Sequence, residues 1–397
     1  MPSINDLNME GARVLVRVDF NVPLNEDQQI TDDSRMQAHI PSLKAILAKG
    51  GRPIVMSHLG RPKGGRDPKL SLAHLVDHLK AISGVEVQFI NDCIGEEVEI
   101  ASKNLPENTI LLLENLRFHD GETKGDENFA YGLSKNGDFY INDAFGTAHR
   151  AHASTAIIAN YFSGKKAFGL VMKAEIDNVN KVLNGGQNPI TAIVGGAKVS
   201  SKISVLENLL PKIDHLVIGG GMAFTFLKAQ GASTGNSLVE DDFVEMAAKI
   251  MQEAEKQGVK IHLPVDAVIA DDFNNSAKRD IVDAKSIPDG WMGLDAGPET
   301  ISALAPIMEA SKTILWNGPM GVFEFENFSA GTKGAADLIA KATSQGAFSL
   351  VGGGDSVAAI KKFNMAEQVS YVSTGGGAML EFLEGKTLPG IAAIQDK

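Results

Sequence analysis

Short runs of apolar, often β-branched residues recur along the chain, separated by longer stretches in which apolar residues return at three- and four-residue spacing. In the first half these runs are "RVLVRVDF", "PIVMS", "VEVQFI", "TILLLEN", "FYINDAF" and "KAFGLV". In the second half they are "TAIVGG", "HLVIGG", "KIHLPVDAVIA", "TILWNG", "FSLVGG" and "QVSYVST". Strands alternating with helical segments predict an α/β fold of doubly wound, mostly parallel sheets. The runs are apolar throughout rather than at every second position, as expected of strands covered on both faces.

Between the two sets lies "LVMKAEIDNVNKVLNGGQNP". Ile176, Val179, Val182 and Leu183 recur at helical spacing, and Asn184-Gly185-Gly186 supplies a stop. The pattern predicts a connecting helix over 173–185, a first domain over 1–172 and a second over 186–384. A chain of 397 residues exceeds what one core ordinarily organises, which agrees with two domains. A helical connector with a glycine end is suited to a hinge between lobes facing a central cleft.

The formal net charge of −12 argues against nucleic acid or an anionic membrane as main partner. No apolar run reaches membrane-spanning length. The start, "MPSINDLNMEG", lacks the basic and apolar stretches of a secretory signal. The expectation is a soluble cytoplasmic protein. Cys93 is the single cysteine, which excludes an internal disulfide and a cysteine-based zinc cluster.

Residue types are unevenly spread. Eight of nine arginines precede residue 151, and seven of nine histidines fall within the first 152 residues. The Gly-Gly-Gly triplets at 219–221, 352–354 and 375–377 all lie in the second half. Residues 1–172 still carry 18 Lys and Arg against 22 Asp and Glu, so the arginines are not a general basic surface. They are candidates for a focused anion pocket.

In open α/β sheets ligands bind beyond the carboxyl ends of the strands. In the first half those positions hold Asp19 and Asn21 in "VDFNVP", His58 and Arg61 in "SHLGRP", Arg117 in "LENLRF", and His149, Arg150 and His152 in "NDAFGTAHRAHAS". Arg35 follows the helix-start pattern "TDDSR". Arginine's planar fork suits carboxylate and phosphate, although any one arginine serves equally well in a surface ion pair. His58 is either a ligand contact or a satisfied structural histidine. In the second half, "IGGGMAFTF", "WNGPMGVFE", "VGGGDSVAA" and "STGGGAMLEF" read as strand, glycines, then turn or helix. Such loops let phosphate approach bare backbone and helix-terminal N–H groups. Asp355 is either a Mg²⁺ ligand or a helix N-cap. Glu324 either accepts from ribose hydroxyls or is an exposed turn carboxylate.

"AIVGGAKVSSKI" adds Lys198 and Lys202. On a helix, residues four apart share a face, where like charges repel, and a helix N-terminus disfavours cations. An anion docked there removes both penalties. The stretch is not the phosphate-binding P-loop pattern, and no G-x-G-x-x-G or H-E-x-x-H is present. Together these residues describe a two-lobed enzyme, one lobe holding a small multiply anionic substrate and the other a nucleotide polyphosphate. Another carboxylate kinase, or a two-lobed binder of a phosphorylated metabolite, fits part of the pattern.

"VDFNVP", "SHLGRP", "ENLRF", "DAFGTAHR", "GGAKVSSK", "GGGMAFTFL", "WNGPMGVFE", "GGGDS" and "STGGGA" together resemble the phosphoglycerate kinase family, in order from about residue 13 to 390. The resemblance implies reversible phosphoryl transfer between 1,3-bisphosphoglycerate with ADP and 3-phosphoglycerate with ATP. It also implies Mg²⁺, a glycolytic cytoplasmic setting, and a monomer that closes about a hinge. Asp19, Asn21, Arg35, His58, Leu59, Gly60, Arg61, Arg117 and Arg150 would then hold the phosphoglycerate. Lys198, Lys202, Gly221, Gly293, Asn317, Glu324, Gly353, Gly354, Asp355 and Ser356 would hold the nucleotide, with Asp355 near the metal. Arg35, Lys198, Lys202, Gly375, Gly376 and Gly377 would serve the transferring group. The family pattern also implies that a C-terminal segment, about 385–397, packs back on the first domain.

Overall fold

The structure, a computed structural model, describes residues 2–395. The first apolar runs form β1 (Arg13–Arg17), β2 (Arg52–Met56), β3 (Glu86–Ile90), β4 (Thr109–Leu113), β5 (Phe139–Asn142) and β6 (Lys166–Phe168). They make one parallel sheet in the order β3-β4-β2-β1-β5-β6. All five residues of β4 are buried, as two-sided cover requires. Register aligns Arg17 with both Met56 and Asn142. The segments after β1, β2 and β5 therefore leave from one edge of the sheet.

The second half forms β7 (Ile190–Val194), β8 (His215–Ile218), β9 (Ser233–Thr234), β10 (Lys260–His262), β11 (Asp266–Ala270), β12 (Arg279–Asp283), β13 (Ser286–Ile287), β14 (Met292–Ala296), β15 (Thr313–Asn317), β16 (Phe348–Val351) and β17 (Tyr371–Val372). A second parallel sheet runs β10-β8-β7-β15-β16-β17. Asn317 pairs with Val194, and Val194 with Ile218, so the glycine loops again leave from one edge. Trp316, fully buried on β15, donates its indole N–H to Gly318 O at 2.8 Å and ties the following loop to its strand.

One sequence expectation is corrected. "KIHLPVDAVIA" is not a single strand: β10 ends the parallel sheet, and β11 starts a separate antiparallel sheet, β12-β11-β14. Pro264 lies between them, where the chain leaves one ladder for the other. β12 is mostly exposed, which is why its apolar signal was weak.

The chain divides into two compact units, one running to Asp177 and resuming at Thr387, the other Asn178–Lys386. The helix Leu170–Leu183 contains the division, and the last helix, Pro389–Gln395, belongs to the first unit. There Asn142 Nδ2 donates to Gly390 O at 3.2 Å and Gly390 N–H to Ala148 O at 2.8 Å. Among the described residues no helix is long and apolar enough to cross a membrane.

Val16, Val55, Leu112 and Ile141 from four strands pack with Met36, Ile40 and Leu43 of the helix Ser34–Ala48. Leu112→Ala is expected to cost about 2–5 kcal/mol, the range for emptying a leucine-sized site in a packed core. Urea unfolding followed by circular dichroism checks it; a midpoint unchanged from the parent would show that this layer is not close-packed.

Candidate active site

In the first unit the polar residues past β1, β2 and β4 form one hydrogen-bonded cluster. Arg35, from the first turn of the helix Ser34–Ala48, donates to Asn21 O at 3.0 Å and reaches the Asp19 carboxylate at 3.4 Å. Gly60 N–H donates to Asn21 Oδ1 at 2.8 Å, and Arg117 donates to Gly60 O at 2.8 Å. Leu59 O accepts from Asn115 Nδ2 at 2.8 Å, which pins the loop after β2. His58 is buried beside Asp19, with Nδ1 4.0 Å from its carboxylate and 3.2 Å from Arg17. Arg61 and Arg150 are exposed nearby, and Arg150 Nε meets His149 Nε2 at 3.2 Å.

In the second unit Lys202 Nζ donates to Asn317 Oδ1 at 2.6 Å, and Asn317 Nδ2 donates to Gly352 O at 2.8 Å. Ser356 Oγ, fully buried, accepts from Gly318 N–H. Three loops of the second sheet are thus joined at its carboxyl edge. Gly353 has φ +93°, and a Cβ there would lie 2.6 Å from Asn317 Nδ2, so glycine is required. It precedes the helix Gly354–Lys362, whose first turn carries exposed Asp355. Gly375 N–H is held by Ser373 Oγ at 3.1 Å, and Gly376 precedes the short helix Gly377–Leu383.

A cavity of about 650 Å³ gathers Gly221, Gly293, Glu324 and Asp355. Its apolar wall comes from Phe224, Leu238, Met292, Leu294 and Phe325, none of which stood out in the sequence. Gly293 N–H donates to Ser237 Oγ at 2.9 Å, and a Cβ at Gly293 would strike the Phe224 ring at 2.1 Å. Bare backbone, an apolar slab and carboxylates at the rim suit a purine nucleotide. A second cavity, about 640 Å³, is lined by Arg279 and Asp280 and holds none of the expected site residues.

The lysine pair departs from expectation. The helix starts at Ile203, so Lys202 occupies its N-cap and Lys198 stands in the exposed loop before it. They do not share a helical face. The glycines and serines of "GGAKVSSK" hold this stretch in turns, which the four-residue spacing could not reveal.

The phosphoglycerate kinase family model matches residues 4–386. The chain is 50% identical over 394 residues to the cytosolic phosphoglycerate kinase of Triticum aestivum, covering 99% of this chain and 98% of that protein. It is 49% identical over 417 residues to that of Porphyromonas gingivalis, covering 99% and 100%. The chain belongs to the phosphoglycerate kinase family. The solved structure of phosphoglycerate kinase from Coxiella burnetii matches with a TM-score of 0.90 at 40% identity, over 99% of this chain and 98% of that one. The protein is a kinase, and the family's reaction is reversible glycolytic transfer of a phosphoryl group to the carboxyl group of 3-phosphoglycerate.

For such a kinase the electrostatics of the first unit are informative. Burial and then repulsion from Arg17 lower the pKa of Arg117; Glu122 offsets this, while Arg150 and Arg61 add to it. Arg17 itself was not singled out in the sequence. It is fully buried at the end of β1, donating to Ser154 Oγ at 2.9 Å and to Val18 O. Ser154 in turn donates to the buried Glu122. The available signal was a guanidinium inside the apolar run "VLVRV", which burial makes costly unless it is paired. Burial and Arg17 together push His58 well below the usual imidazole range, against the pull of Asp19. With Nδ1 accepting from Arg17, a neutral His58 keeps its proton on Nε2.

Burial and the same arginines, led by Arg17, lower His152 to about 4. The unfolded chain therefore takes up this proton near pH 6.5, before the native state does. The neutral His152 contribution is present above that pH and is lost as pH falls toward 4. His152→Gln is expected to lose less melting temperature than the parent between pH 7 and pH 5, read by scanning calorimetry. Equal losses in the two proteins would contradict the assignment.

Proposed function

We propose that the first unit holds phosphoglycerate and the second holds the adenine nucleotide, so that the family reaction runs through the residues described above. The crowding of Arg61, Arg117 and Arg150 over buried Arg17 carries this reading. Several guanidinium groups gathered around Arg117 call for an anion of several charges, such as bisphosphoglycerate. Arg35, His58, Arg61, Arg117 and Arg150 supply donors to the substrate. Asp19, Asn21 and the backbone at Leu59 and Gly60 set their positions.

The chemistry needs no general base. A carboxylate acceptor is already ionised at neutral pH, so a neutral His58 is more useful as a hydrogen-bond donor. What remains is placement and charge stabilisation of the transferring group. Lys198, on its exposed loop, follows that group, with Arg35 serving it from the first unit. Lys202 is half-buried, and its pKa is lowered by burial while Asp355 and Glu384 oppose the shift. Held on Asn317, it serves the terminal phosphate of the nucleotide. The backbone N–H groups of Gly375, Gly376 and Gly377 add donors to the same charge.

Gly221 and Gly293 let the base approach the backbone, and Glu324 takes the ribose. Gly353, Gly354 and Ser356 shape the loop beneath the phosphates. Asp355 fits Mg²⁺, since it is an exposed carboxylate on the rim of the nucleotide cavity and Mg²⁺ commonly takes one or two carboxylates with phosphate oxygens. A Mg²⁺ ion held there by Asp355 would supply charge neutralisation at the phosphates. The acceptor and donor sites lie on separate units, so closure about the helix Leu170–Leu183 must precede transfer and exclude water. The working form is a cytoplasmic monomer. The cytosolic location in the wheat relative's name supports the compartment.

ADP formation from 3-phosphoglycerate and ATP with Mg²⁺, drawn forward by a coupled dehydrogenase, is expected to depend on both substrates. Lys198→Ala should lower kcat at least about 100-fold, as loss of a transition-state donor does, with nucleotide affinity nearly kept. Near-normal turnover would remove Lys198 from the mechanism. Arg117→Ala should instead raise the KM for 3-phosphoglycerate about tenfold or more, the scale of a charge-assisted hydrogen bond. An unchanged KM would displace Arg117 from the substrate site.

A further inference from the structure

The helix Ser34–Ala48 presents a second polar side chain to the loop after β1. His39 lies one turn beyond Arg35, on the same face. It is buried, with Phe20 packed edge-on against its ring at 5.9 Å between centroids. The backbone N–H of Asp19 donates to His39 Nε2 at 3.0 Å. An Nε2 that accepts carries no proton, so the ring is neutral and protonated at Nδ1. That N–H donates to the Asp143 carboxylate at 2.9 Å.

Asp143 is fully buried and leads onward. Its second oxygen accepts the N–H groups of Val171, at 2.9 Å, and Met172, at 3.1 Å, in the first turn of the helix Leu170–Leu183. Ser42, three residues beyond His39, accepts Leu170 N–H at 3.0 Å. A Cβ at Gly169 would sit 2.1 Å from the same Asp143 oxygen, so only glycine lets the carboxylate reach the helix end. A continuous buried path thus runs from the loop carrying Asp19 to the start of the helix that crosses from the first unit into the second.

We propose that His39 is a positioning residue for the phosphoglycerate site. Its Nε2 fixes the loop Val18–Asn21 by the Asp19 N–H, and its Nδ1, through Asp143, ties that loop to the first turn of Leu170–Leu183. Asp19, Phe20 and His39 are all buried, so the Asp19 N–H lies away from bulk solvent. Without an acceptor it is an unpaired buried donor, and the loop must shift to satisfy it. Arg35, which grips the same loop at Asn21 O and Asp19, moves with it. The effect falls on the phosphoglycerate side and leaves the nucleotide cavity untouched. The proposal rests on reading Asp19 and Asn21 as part of the phosphoglycerate site.

Two substitutions separate positioning from simple structural filling. In His39→Asn the amide reaches Asp143 but is too short for the Asp19 N–H. In His39→Gln the side-chain oxygen can occupy the place of Nε2. Steady-state KM values for 3-phosphoglycerate and ATP are measured for both and for Asp19→Ala. H39N is expected to raise the KM for 3-phosphoglycerate about fivefold, the worth of one neutral hydrogen bond, with the KM for ATP within about twofold of the parent. H39Q is expected to restore both constants to within about twofold, because the acceptor is back in place. An unchanged KM for 3-phosphoglycerate in H39N, an equal rise in both constants, or an H39Q as impaired as H39N would each overturn the proposal. If H39N does not fold, H39Q decides alone: a parent-like KM supports the acceptor role, and a raised one overturns it. Asp19→Ala with an unaltered KM for 3-phosphoglycerate would instead overturn the reading of the site on which the proposal stands.

Discussion

The arrangement depends on one constraint: a parallel strand covered on both faces has no room for ligand chemistry along its length. Polar groups that must meet a substrate are displaced to where the strands end. β4 and β7 are buried at every position. In each unit the register then decides which loops become neighbours. Pairing of Arg17 with Met56 and Asn142 brings the loops after β1, β2 and β5 together. Pairing of Asn317 with Val194 does the same for the glycine loops of the second unit. A slip of one residue would turn the side chains to opposite faces of the sheet and dismantle both clusters.

On the proposed reading, the two edges meet the same problem, binding negative charge, by different means. The first unit uses guanidinium groups, whose mutual repulsion must be held in place before any anion arrives. Arg17 is fixed through Ser154 to Glu122, and Arg117 through Gly60 O, so the cluster is preorganised by partners that do not neutralise it fully. On that reading the cost of crowding would be recovered when the substrate binds, which would favour substrates with several charges. The second unit uses main chain instead. Gly353 and Gly293 stand where any side chain would collide with Asn317 or Phe224, and Lys202 is steered by an uncharged amide. An amide partner leaves the ammonium charge uncompensated, as the proposed phosphate contact requires, whereas a carboxylate partner would have consumed it.

His39 and Asp143 show how a buried polar pair can be useful without touching a ligand. Together their hydrogen bonds join the loop after β1, the helix after it, the segment after β5 and the helix after β6. Burying such groups is costly unless every donor and acceptor is matched, and here the tautomer of one ring satisfies both sides.

The sequence by itself determined the strand and helix alternation, the connecting helix, the clustering of arginine in one half and glycine in the other, and the motifs of the family. These rest on local periodicity, turn chemistry and residue type, which a linear string carries in full. Asp19, Asn21, Arg35, His58 and Arg117 stood out for that reason, because they sit just past apolar runs or at a helix start. Only the tertiary structure decided that Arg17 lies beneath His58, that Lys202 reaches Asn317 while Lys198 stands apart in a loop, and that "KIHLPVDAVIA" divides between two sheets. It alone assembled Phe224, Leu238 and Leu294 into a wall and closed the path from Asp19 through His39 to Asp143. In the string an apolar residue of a cavity wall looks like any core residue, and a buried arginine looks like an interruption. Their meaning comes from neighbours tens to more than a hundred residues away, and those neighbours are set by sheet register and packing.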